Sequence, residues 1–121
     1  MIDARSQIAD ELSAVCRNVR MSKPEGDVTF PLICYSCIKD LPVNPATERL
    51  VWRVAVYCNT FEDLIDKCRA IDSVMHDRLG YTLTSCTPDD ESKKATDFYM
   101  KRLDYSGLVC LESMGVIRNS K

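Results

Sequence analysis

No long hydrophobic run is present. The densest apolar stretch, Leu50 to Cys58, is interrupted by Arg53 and falls well short of the roughly 18 consecutive apolar residues that a helix needs to cross a bilayer. Met1 to Asp10 carry Asp3 and Asp10, with no basic start, apolar segment or small-residue cleavage site, so no secretory signal is expected. Charge of one sign is also scarce: a net charge of −2 sets up no field that would draw the chain to nucleic acid or a membrane surface. Neither a G-x-G-x-x-G nor a P-loop pattern occurs, so no nucleotide site is legible. Histidine is nearly missing, with His76 alone, and no second C-x-x-C accompanies Cys34-Tyr35-Ser36-Cys37.

What is present is enough for one core. A chain of 121 residues has the usual size of a single domain, and residues 1–121 are read as one soluble unit. The seven cysteines, Cys16, Cys34, Cys37, Cys58, Cys68, Cys86 and Cys110, are odd in number and dispersed. This pattern fits a reducing compartment, with most of them acting as small hydrophobes.

Ile8, Leu12, Val15, Cys16 and Val19 recur at helical spacing and predict an amphipathic helix that ends before Ser22-Lys23-Pro24-Glu25-Gly26-Asp27. Phe30 to Ile38 predicts a strand covered at least partly on both faces, and Asp40 to Pro45, with two prolines, predicts a connection. From Glu48 to Asn59, Leu50, Trp52, Val54, Val56 and Cys58 alternate against Arg49, Val51, Arg53, Ala55 and Tyr57, which makes the first set the core face of a second strand. Thr60 reads as the N-cap of a helix over Phe61 to Leu79, with Glu62 and Asp63 in its first turn and Gly80 as its left-handed cap. Tyr81 to Thr87 predicts a third strand. Phe98 to Leu111 predicts a last one, interrupted at Ser106-Gly107, with a loosely held tail from about residue 114. The expected class is α+β in the order α-β-β-α-β-β: one mostly antiparallel sheet with two helices packed on one face.

Candidate chemistry is sparse. Cys34 and Cys37 have the spacing of a zinc or redox pair, but zinc needs four ligands, and residues three apart in a strand point to opposite faces. Packed sheet residues are therefore the expected reading. His76 in the last turn of a helix, and the carboxylates Glu62, Asp63 and Asp66 in its first turns, are explained by the helix dipole. Asp89, Asp90 and Glu91 lack the alternating spacing of a calcium loop. The sequence singles out no catalytic residue, metal ligand or cofactor.

Surfaces say more. The strand face opposite Trp52 mixes Val51, Ala55 and Tyr57 with Arg49 and Arg53, a composition suited to a partner or to cover from the same chain. The polar segment Pro88 to Asp97 is expected to order against a neighbouring molecule through Asp89, Asp90, Glu91, Lys93 and Lys94.

Five features carry a resemblance: the amphipathic first helix; Phe30-Pro31-Leu32-Ile33; Val51-Trp52-Arg53-Val54-Ala55-Val56-Tyr57-Cys58; the helix Phe61 to Leu79; and Lys101-Arg102-Leu103-Asp104-Tyr105-Ser106-Gly107. Together they span nearly the whole chain, which resembles the tail terminator, or tail-completion, proteins of long-tailed bacteriophages and lies close to the small neck proteins that join head to tail. The resemblance implies a non-enzymatic virion protein, assembled in the host cytoplasm. It would form a homo-oligomeric ring, typically a hexamer, that stops tail-tube polymerisation and presents a docking surface to the filled head. The implied partners are further copies of the chain, the tail tube protein and a head-side connector. No cofactor, membrane or sequence-specific nucleic acid is implied, although the genome would pass through the ring. The alternatives are another neck or connector protein, or a small metal- or thiol-dependent enzyme built on Cys34 and Cys37 with Cys16 or Cys86.

Overall fold

Strict alternation builds the centre of the molecule. In the computed structural model, which describes residues 4–21, 29–87, 98–110 and 116–117, Leu50, Trp52, Val54, Val56 and Cys58 are all buried, while the residues between them are only partly covered. A period of two on a central strand leaves no other arrangement once one face meets the helices. In chain order the elements are α1 (Ala4–Val15), β1 (Val19–Met21), β2 (Leu32–Asn44), β3 (Thr47–Cys58), α2 (Phe61–Asp72, continued by a π-helical segment Ser73–Arg78), β4 (Thr82–Cys86), β5 (Tyr99–Cys110) and β6 (Val116–Ile117).

The strands form one sheet in the order β1-β2-β3-β5-β4, with β6 also pairing with β5. All pairings are antiparallel except that of β1 with β2. The expected α+β class and mostly antiparallel sheet are therefore observed. Ile8 and Leu12 of α1, and Leu64, Ile71 and Met75 of the second helix, join Ile33, Leu50, Trp52, Val54, Val56, Leu103 and Tyr105 in one core, so both helices cover the same face. Among the described residues no helix is long and apolar enough to cross a membrane.

Four boundaries differ from expectation. First, α1 ends at Val15, and Val19 lies in β1, opposite Ile33. The Ile33 N–H donates to the Asn18 carbonyl, so a ladder partner distant in sequence outweighs the local helical period. Second, β2 runs on through Asp40 to Asn44 instead of giving way to a connection. Pro42 is tolerated because β1 covers β2 only from Ile33 to Tyr35, so the outer edge of β2 has no ladder to lose beyond that point. Register shifts beside Ile38 and Val43 fit the same edge character, and the Asn44 Oδ1 accepts the Ala46 N–H to close the hairpin. Third, β5 is not interrupted at Ser106-Gly107. Its register with β3 runs unshifted from Tyr99 to Cys110, the ladder holding a glycine that has no side chain to pack. Fourth, within the tail from residue 114, Val116 and Ile117 are ordered as β6 against Val109 and Leu108.

The second helix begins as expected, with the Thr60 Oγ1 accepting the Asp63 N–H. Its π-helical end carries the adjacent residues Val74 and Met75, both buried. Gly80 then ends it with φ 84°.

Candidate interaction surface

The sheet face turned away from the helices is built by residue parity. β3 contributes Arg49, Val51, Arg53, Ala55 and Tyr57. In register beside them β5 contributes Leu108, Ser106, Asp104, Arg102 and Met100, and β2 supplies Ser36, Cys34 and Leu32 at the far end. The sequence-predicted residues Arg49, Arg53 and Tyr57 therefore share one face, but each sits in a different chemical setting.

Arg53 is engaged. Its guanidinium meets the buried Asp104 carboxylate through two parallel hydrogen bonds, Nε to Oδ1 at 3.1 Å and Nη2 to Oδ2 at 3.2 Å. This bond, aided by the nearby negative charge, raises the guanidinium pKa above its ordinary value. Arg49, exposed, donates from Nη1 to the Ser106 Oγ at 3.2 Å. Tyr57 stands edge-on to Phe98, ring centroids 5.4 Å apart, and Phe98 in turn contacts Phe30 at 5.8 Å. This aromatic cluster lies at the end of the face where Leu32 and Cys34 are buried, and burial pushes the Tyr57 phenol up. Asp89, Asp90, Glu91, Lys93 and Lys94 lie outside the described residues.

Sequence reasoning missed the stretch that holds three of the five exposed large hydrophobic side chains among the described residues. Beyond Cys37 the outer stretch of β2, the arm of the β2–β3 hairpin, forms an edge of the sheet, with β3 between it and β5. On it Ile38 is 38%, Leu41 51% and Val43 55% exposed. The prolines that marked this stretch as a connection concealed it. The Asp104 partner of Arg53 was likewise invisible, being 51 residues away in sequence.

The thiols of the C-x-x-C pair do not come together. Cys34 and Cys37 stand on opposite faces of β2, paired with Ala55 and Trp52 respectively, and Cys37 donates to the Lys39 carbonyl at 3.2 Å. Burial, with Asp63 beside it, pushes the Cys58 thiol up to about 12, which keeps it neutral and unreactive. Among the described residues no group of three or more histidine, cysteine or acidic side chains is placed to hold a metal ion. The His76 Nδ1 lies 2.9 Å from the Tyr81 carbonyl, the tautomer with a proton on Nδ1 serving as donor. An open cleft of about 350 Å³ between the second helix and the β4–β5 hairpin is lined by Cys68, Asp72, Leu83, Cys86 and Tyr105, and in it the Tyr105 hydroxyl donates to the Asp72 Oδ1 at 3.0 Å. That bond occupies the most deeply placed polar group of the cleft.

Compared with models of known protein families and with curated proteins, the chain matches none.

Proposed function

We propose that this chain is a structural protein of a bacteriophage virion. Copies of it close into a ring at the end of the tail tube, stop the tube's growth and offer the filled head a docking surface. Support comes from the sequence resemblance above and from one structural observation, the apolar arm of the β2–β3 hairpin. Leu41 and Val43 stand more than half exposed on the edge strand of the sheet, where keeping them in water has no benefit to the monomer. Contact with a neighbouring copy would remove this surface from water. Because the arm and whatever receives it are different parts of the molecule, such a contact is heterologous and closes into a ring when its rotation permits. Next to the arm, Arg49 and Val51 continue the same face towards the Arg53–Asp104 pair, giving an apolar centre with a polar rim.

Size-exclusion chromatography with light scattering, alone and with purified tail tubes, tests the reading. The wild type is expected to form a ring. Leu41→Ser with Val43→Ser is expected to give a folded monomer of unchanged melting temperature, since neither side chain is part of the core. A wild type that stays monomeric at every concentration, with tubes present, would sink the proposal. The virion layer with which the protein copurifies separates a terminator from another neck protein.

A further inference from the structure

We infer that the outer edge of β4 is the seat of a second copy of this chain, which adds its β1 there and so continues the sheet from subunit to subunit. The inference rests on the ring reading and adds a backbone joint between subunits to the contact made by the arm. β4 closes one side of the sheet, and Thr82, Leu83, Thr84, Ser85 and Cys86 are all exposed. It pairs with β5 on its inner side, and among the described residues nothing pairs with its outer side. The segment has no charge and no proline, the usual devices that keep an edge strand from templating another. Its one irregularity, between Leu83 and Ser85, is tied inward by the Thr84 hydroxyl, which donates to the Asp104 carbonyl. A row of backbone N–H and C=O groups with no ladder partner among the described residues calls for an extended backbone.

The other end of the sheet supplies such a backbone. Past Tyr35 the edge of β2 is blunted by Lys39, Asp40 and Pro42 and by two shifts of register, which leaves β1 as the regular edge. Strand directions agree with the joint. β1 runs with β2, and the three successive antiparallel steps to β3, β5 and β4 leave β4 running opposite to β1. Copies related by rotation about an axis roughly along the strands would therefore bring β4 of one against β1 of the next in antiparallel pairing, the more stable arrangement. Side chains agree as well. Leu83, 40% exposed, is in register with Tyr105, and Met21, 62% exposed, with Tyr35; both partners belong to the helix-bearing face. In the continued sheet the two exposed residues share that face as an apolar cross-strand contact. The two edges differ, so the contact is head-to-tail and suits a closed ring better than a two-fold dimer.

Photocrosslinking of the purified protein decides the matter. Leu83→p-benzoylphenylalanine, irradiated in the assembled protein, is expected to join two copies, with peptide mapping placing the bond in residues 19–21. Leu83→Lys with Ser85→Lys is expected to abolish the ring peak while the circular dichroism spectrum stays unchanged. Crosslinks between copies that map elsewhere, or rings that persist with the charged edge, overturn the β4–β1 joint while the ring reading stands. A wild type without rings removes both. Should the lysine variant misfold, the crosslink map alone decides.

Discussion

At the scale of single residues, Trp52 is the largest side chain fully buried among the described residues. It is 1% exposed, faces Tyr105 across the ladder and contacts the ring of Tyr35, with centroids 6.3 Å apart. Its indole N–H is buried without a hydrogen-bond partner among the described residues, although the Tyr81 phenol is near enough for the two groups to interact. Burial therefore stabilises through the ring, and the N–H works against it. Trp52→Ala is expected to cost about 3–5 kcal/mol in urea unfolding. Trp52→Phe should cost clearly less, since it keeps most of the ring and removes the unpaired donor; equal losses for the two variants would mean that the N–H does make a bond in solution. The parity of Trp52 was legible in the alternation of Leu50 to Cys58. Its unpaired nitrogen was not, because no local pattern reports where an acceptor lies.

Among the elements, the end of the second helix and the hairpin arm show two kinds of legibility. Thr60 and Gly80 bracket the helix as the sequence suggests, because caps act on backbone groups within a turn of themselves. With φ 84° at Gly80, a Cβ there meets the following carbonyl, so Gly80→Ala is expected to cost about 1 kcal/mol and Gly80→Asn less, both read from denaturation midpoints. Equal stability of the alanine variant would show that the turn relaxes. The π-helical segment between the caps has no signature in the spacing of the apolar residues, since Val74 and Met75 read equally well as neighbours at the edge of an α-helical stripe. The arm was hidden for a related reason: Pro42 forbids a central strand but not an edge strand, and only the extent of β1 says which one β2 becomes there.

Across the whole molecule, helix-to-helix and edge-to-edge relations take over. Arg78, at the end of the second helix, grips Glu11 of α1 through bonds of 2.6 and 3.1 Å, a link spanning 67 residues. The hydrogen bond to the guanidinium, reinforced by its charge and opposed by slight desolvation, lowers the Glu11 carboxyl below its ordinary 4.5. A depressed carboxyl pKa adds stability above the unfolded value and loses it as pH falls through the folded one. The melting temperature of wild type should therefore exceed that of Glu11→Gln by a small margin at neutral pH, and the two should converge in acid, below the ordinary carboxylate range. A gap that persists in acid would assign Glu11 a role other than charge.

Where the physics is local, the chain alone was sufficient. The alternation of β3, the capped second helix and the α+β class follow from periods of two and 3.6 and from caps within one turn. Where a group's partner lies tens of residues away, the fold decided: Val19 became a strand because Ile33 offered a ladder, Gly107 stayed in register because β3 held its backbone, and Arg53 was neutralised by Asp104. The two edges of the sheet belong to this second kind, since which of the described strands end it depends on how all of them pair, and no single stretch of residues contains that information.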